Sequence, residues 1–154
     1  MRLLTILISF LAGPALADIT GNVVRVLDGD TIIVQDAGEK HRVRLTGIDA
    51  PESKQDHGNN SRRYLAVIID GKDVKIQGAK RDRYGRLLGK VVYQGKDINL
   101  HMVEEGHAWW YRRYKGSQSR SDQKAYRQGE DMARSAKLGL WSGKPVPPWE
   151  FRRQ

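Results

Sequence analysis

VLDGDTIIV, residues 26–34, sets the turn triplet Asp28-Gly29-Asp30 between two runs rich in β-branched residues. Asp and Gly favour turns for local hydrogen-bonding and steric reasons, and β-branched side chains favour strands. The stretch therefore predicts a hairpin, with strands over residues 19–27 (ITGNVVRVL) and 31–35 (TIIVQ). A second turn, DAGE at 36–39, leads into HRVRLTGI at 41–48, read as a third strand. Its alternation puts His41, Val43 and Leu45 on one face and Arg42 and Arg44 on the other.

Outward from there the pattern changes. Residues 49–60 are polar, contain Pro51 and Gly58, and read as a loop, followed by a short helix over 62–70. Residues 72–77 and 87–93 read as two more strands, joined by the basic loop GAKRDRYGR at 78–86. A helix is expected over 97–106, then an aromatic and basic segment over 107–116. Residues 121–138 predict an amphipathic helix, with Ser121 as cap, Asp122 in the first turn and Gly139 as the stop. Its expected apolar stripe is Ala125, Met132, Ala136 and Leu140. The tail, with Pro145, Pro147 and Pro148, is expected to be extended. Five short strands with two or three helices indicate an α+β, mainly β domain whose sheet closes into a barrel.

The chain of 154 residues suits one such domain, and its lack of Cys excludes a disulfide scaffold, Cys-ligated zinc, iron–sulfur chemistry and thiol catalysis. Residues 1–17 have the layout of a signal peptide: Arg2, an apolar run and an Ala15-Leu16-Ala17 cleavage signal. That run is shorter than the roughly 20 residues a membrane span requires. The expected division is a signal peptide at 1–17, the domain at 18–143 and a Pro-rich basic tail at 144–154, with the mature protein periplasmic or secreted. The net charge is +9, and +8 once the one arginine of the leader is gone. A basic exported domain points to an anionic partner such as nucleic acid, anionic lipid or wall polymer.

Several charged residues sit where such a fold presents side chains. Asp28, Asp30 and Asp49 lie at predicted strand ends, and Glu52 follows Asp49 by three positions. Arg44 is on the strand that runs into Asp49, while Arg83 and Arg86 are in the basic loop. Hard cations take oxygen ligands, a further carboxylate can orient or deprotonate water, and guanidinium forks grip phosphate. Together these are the parts of metal-assisted phosphoryl chemistry. The four histidines, His41, His57, His101 and His107, show no metal-ligand spacing, and the 78–86 loop lacks the spacing of a P-loop.

Three blocks, VLDGDTIIV (26–34), VRLTGIDAPE (43–52) and DRYGR (82–86), resemble the staphylococcal-nuclease-like, or thermonuclease, family. EGHAW (105–109) and LGLWS (138–142) resemble it as well, so the likeness covers the whole mature chain. The resemblance implies an OB-fold, a five-stranded β-barrel with about three helices. It implies a Ca²⁺-dependent nuclease that cleaves DNA and RNA and leaves 3′-phosphates. Carried over by position, Asp30 and Asp49 become carboxylate metal ligands and Ala50 a carbonyl ligand. The family often has Thr at Ala50, a difference that a carbonyl ligand tolerates. Glu52 becomes the residue that positions or deprotonates water, Arg44 and Arg86 the phosphate-gripping pair, and Asp28 a holder of metal-bound waters. Arg83 and Tyr84 become contacts to a terminal phosphate. Tyr111 and Tyr114 are both candidates for base stacking. Single strands are the expected preference, because splayed bases can stack, and nothing requires more than a monomer. The competing expectations are a non-catalytic nucleic-acid-binding OB module and an electrostatic partner of polymer or lipid.

Overall fold

The computed structural model describes residues 18–154, so the signal-peptide reading of 1–17 lies outside the described residues. In chain order the elements are β1 (Ile19–Asp28), β2 (Thr31–Asp36), β3 (Glu39–Leu45), β4 (Ile48–Asp49) and α1 (Gly58–Ile69). Then follow β5 (Asp73–Arg81), β6 (Leu87–Tyr93), β7 (Lys96–Asp97), α2 (Ile98–Glu104) and β8 (Trp109–Trp110). After a 3-10 segment over Arg112–Ser117 come α3 (Arg120–Ser135), a 3-10 turn at Gly139–Ser142 and α4 (Pro148–Phe151).

Strands β1, β2 and β3 form an antiparallel meander, and β5 and β6 continue the sheet from the free side of β1. The sheet closes where β6 pairs in parallel with β3, through Val43 with Leu87 and Leu45 with Gly89. The result is the closed, mixed five-stranded barrel with packed helices expected of an OB-fold. Alternation fills it: Val23, Ile32, Val34, Val43, Leu45, Val74, Ile76 and Val91 point inward and are fully buried. Leu65 and Ile69 of α1 and Met102 and Val103 of α2 extend the same core. Each such side chain stabilises the fold by about 1.5–3 kcal/mol through lost contact with water.

Five local expectations change. The third strand does not run to Ile48; it ends at Leu45, and Gly47, at φ +77°, turns the chain so that Ile48 and Asp49 form β4. That short strand pairs with β8, Asp49 opposite Trp109. Strand β5 runs on to Arg81, which leaves only a tight turn of the anticipated basic loop. The cap of α3 is Ser119, whose hydroxyl accepts the Asp122 N–H, rather than Ser121. The buried face of α3 is Tyr126, Gly129, Glu130 and Ala133, whereas Met132 is 72 % exposed. Finally, the tail is not extended throughout. Pro147 precedes one helical turn, α4, with Pro148 in its first position, where a missing N–H costs nothing.

Candidate active site

The hairpin turn builds the first wall of the site. The Asp28 carboxylate accepts the N–H of Asp30 at 3.0 Å, which fixes the turn. Gly29 is required by space: a Cβ there would lie 1.8 Å from Ser61 Oγ of α1 and 2.7 Å from Ala50 Cβ. The turn can therefore press against both α1 and the segment after β4. Asp30 is buried by this packing. Its Oδ2 accepts the Ala50 N–H at 2.7 Å, and its Oδ1 accepts the Thr31 hydroxyl at 3.0 Å.

Register places Arg44 beside it, since Thr31 and Arg44 are partners in the β2–β3 ladder. Arg44 Nη2 lies 3.1 Å from Asp30 and 3.2 Å from Asp49, and Nη1 donates to the Leu45 carbonyl at 2.6 Å. One guanidinium thus serves two buried carboxylates. Burial pushes Asp30 up to about 6; neighbouring Asp28 adds to this and Arg44 opposes it. Asp49 is raised as well, first by burial and then by Asp30, against Arg152 and Arg44. Two carboxylates held in this state carry negative charge that the protein has not fully compensated.

Glu52 stands at the mouth, on a tight turn in which the Gln55 N–H reaches the Glu52 carbonyl at 2.8 Å and the Glu52 N–H reaches Gln55 Oε1 at 3.1 Å. Gly58 starts α1 so close that a Cβ would meet the Glu52 carbonyl at 2.0 Å. The second cation of the site comes from the other end of the chain. Arg152, just after α4, places Nη2 2.7 Å from Asp49 Oδ2 and Nη1 2.6 Å from Glu52 Oε1. Sequence reasoning missed Arg152; an arginine in a basic, Pro-rich tail carries no local mark of its destination.

The other anticipated residues form two flanking regions. Arg86 pairs with Asp82 through Nε and Nη2, both at 2.9 Å, and among the described residues it makes no ion pair with Asp30, Asp49 or Glu52. Arg83 and Arg86 lie over the Tyr84 ring at 4.8 and 5.6 Å. Arg86, Tyr84, Gly85 and Arg42 line a cavity of about 300 Å³. On the other side, Tyr111 stacks on Trp149 of the tail at 5.5 Å and meets Tyr114 edge-on at 5.5 Å. Tyr111, Trp110, Trp149 and three arginines, Arg112, Arg113 and Arg153, line a cavity of about 220 Å³. Trp109 and Trp110 are themselves buried, whereas Tyr114 is 60 % exposed.

Among the described residues no three acidic or histidine side chains gather closely enough to hold a metal ion unaided. Asp30 and Asp49 nevertheless fit a hard cation that keeps several waters: both offer oxygen only, both are buried, and Asp30 raises the proton affinity of Asp49. A carboxylate pair under mutual repulsion is stabilised by a cation between its members.

Residues 42–143 match the family model described as staphylococcal nuclease homologue. The chain belongs to the staphylococcal nuclease homologue family. An uncharacterized endonuclease of Escherichia coli is 45 % identical over 140 residues, covering 90 % of this chain and 88 % of that one. A micrococcal nuclease of Shigella flexneri is 44 % identical over 151 residues, covering 91 % and 84 %. An uncharacterized endonuclease of Haemophilus influenzae is 39 % identical over 137 residues, covering 88 % and 74 %.

Two further features of this staphylococcal nuclease homologue were hidden in its sequence. Glu130 of α3 is fully buried; it accepts the Trp110 N–H at 3.1 Å and Arg112 at 2.6 Å, and so holds β8 and, through β8, Asp49. His57 and His107 do meet, with ring nitrogens 3.2 Å apart, although their spacing in the chain gives no hint of it. His107 also stacks on Tyr64 at 4.0 Å, and Tyr64 reaches His101 at 3.1 Å. Burial first, then His57 and His101, push His107 down to about 4.

Proposed function

We propose that the chain hydrolyses phosphodiester bonds of DNA and RNA with Ca²⁺ and little sugar specificity, leaving 3′-phosphates. What carries this is the sharing of Arg44 by the buried Asp30 and Asp49, with Glu52 one turn away. Asp30, Asp49 and the Ala50 carbonyl would hold the ion, and Asp28 its waters. When bound, the ion neutralises phosphate charge and polarises the P–O bonds. Glu52 orients a water and takes its proton as the water oxygen bonds to phosphorus. The bond from phosphorus to the 5′ oxygen breaks, the leaving oxygen takes a proton from solvent, and the phosphate stays on the 3′ side. Arg44 donates to the phosphate oxygens, where guanidinium geometry stabilises the developing charge.

Arg86 can join Arg44 only by exchanging Asp82 for phosphate, and Arg83 with Tyr84 would take a terminal phosphate beside it. Tyr111 and Tyr114 offer faces to unpaired bases, which supports a preference for single strands. The basic surface predicts binding that weakens steeply as salt rises. A monomer exported to the periplasm or the medium, with residues 1–17 removed, completes the proposal.

The test is cleavage of single-stranded DNA by residues 18–154 with Ca²⁺ and with a chelator, with product ends mapped. Ca²⁺-dependent cleavage leaving 3′-phosphates supports the proposal. Binding without cleavage under any divalent ion would reject it in favour of a non-catalytic OB module.

A further inference from the structure

The tail after residue 144 is built onto the active site by several independent contacts. Gln55, from the turn that carries Glu52, donates its side-chain amide to the Val146 carbonyl. Pro148 is buried, and Trp149 stacks on Tyr111 at 5.5 Å and meets Trp109 edge-on at 6.2 Å. Trp109 is the β8 partner of Asp49. Arg152 then closes the structure: Nη1 and Nη2 together grip the Asp49 carboxylate, at 3.3 and 2.7 Å, and Nη1 also donates to Glu52 at 2.6 Å.

We infer that Arg152 is a positioning residue for the hydrolysis proposed above, on which this inference rests. Asp49 lies in a buried strand, but Glu52 lies on an exposed turn with rotamer freedom of its own. A planar fork bound to both sets the distance and tilt of the Glu52 carboxylate relative to Asp49. A base that must meet water beside a metal-bound phosphate needs that constraint, since misplacement by about 1 Å can cost about 10²-fold in rate. The charge balance agrees. Asp30, Asp49 and Glu52 pair with Arg44 and Arg152, and Asp28 lies beside Asp30, so four acids outnumber two cations by two charges, matching one divalent cation.

The experiment compares the full mature chain with Arg152→Gln and Arg152→Lys, using a single-stranded DNA oligonucleotide. Three quantities are read: kcat and KM with Ca²⁺, oligonucleotide affinity without metal, and the thermal midpoint. Arg152→Gln is expected to lose about 10²-fold in kcat, with KM and metal-free affinity within about twofold of wild type. Arg152→Lys is expected to recover part of kcat, because it keeps the charge and loses the fork. Arg152→Gln is expected to lower the midpoint, since buried Asp49 then keeps only Arg44, and Arg152→Lys to restore part of it. Unchanged kcat in Arg152→Gln overturns the inference. Raised kcat overturns it too and makes Arg152 a plug on the carboxylates. A loss confined to KM or metal-free affinity overturns it in favour of direct substrate grip. Absence of cleavage by the wild type contradicts the hydrolysis itself and removes the inference with it.

Discussion

Asp30 accepts the backbone N–H of Ala50 at 2.7 Å across twenty residues of chain. This bond joins the hairpin turn to the segment after β4, and so brings two carboxylates from separate strands to one arginine. The joint has an energetic cost, because Asp30 is buried and raised to about 6.

That cost predicts opposite effects on stability and activity. A carboxyl whose folded pKa lies above its ordinary 3.8 favours the fold when protonated, and this contribution is lost as pH rises through about 6. Asp30→Asn removes the buried charge. Without metal, the variant should be more stable than wild type above pH 6 by about 2–3 kcal/mol, with the difference vanishing below pH 4. Cleavage should be abolished. Denaturant unfolding between pH 4 and 8 with a chelator measures the first effect, and an oligonucleotide assay the second.

Gly29→Ala should damage the site from its back. The new methyl group would need the space of Ser61 Oγ and Ala50 Cβ, both anchored parts of the structure. A loss of about 1–3 kcal/mol in unfolding free energy is expected from this overpacking. Cleavage should fall with it as Ala50 is displaced. A wild-type unfolding midpoint in this variant would show that the turn has room to move.

Much of the barrel was legible because the information is local. The alternation in β1, β2, β3 and β6 and the turn residues between the strands are each contained in a few neighbouring positions. Asp30, Asp49, Glu52 and Arg44 were legible through short blocks of residue types. The departures that bear on the site are long-range. Residues 41–48 read as one strand because Thr46-Gly47 is a weak interruption; the true break is set by β8, some sixty residues on. Met132 was placed in the apolar stripe of α3 by its type, but the face that packs carries Tyr126 and the acid Glu130 instead. The meetings of Arg152 with Glu52 and of His57 with His107 depend on how separate elements dock, which residue spacing does not encode.

Glu130 provides a test of that docking. Replacing it with Ala leaves the Trp110 N–H without its partner and Arg112 without its ion pair. Removing one partner of a buried pair typically costs about 3–5 kcal/mol. Arg112 is half exposed and can turn to water, so about 2–4 kcal/mol is expected. Hydrogen exchange at Trp109 and Trp110 should quicken more than exchange in β1 or β2. Equal protection in both variants would mean that Glu130 does not hold β8.

The histidine cluster predicts weakening in mild acid. His107 is held neutral in the fold, down to about 4 from an ordinary 6.5. Its contribution is full above 6.5 and is lost as pH falls toward 4, because the unfolded chain takes up the proton first. The ring is only partly buried and solvent screens it, so about 1–2 kcal/mol is at stake. His107→Phe keeps the stack on Tyr64 and cannot titrate. Its unfolding free energy should fall less between pH 7 and pH 4.5 than that of the wild type, and equal slopes would reject the assignment.

The central claim is that Glu52 works on water while Asp30, Asp49 and Arg44 hold charge. The most direct measurement sets wild type beside Glu52→Gln, reading single-strand cleavage with Ca²⁺ and oligonucleotide binding without it. The account predicts unaltered binding and a loss of at least about 10²–10³-fold in kcat. Cleavage at the wild-type rate by Glu52→Gln would contradict it.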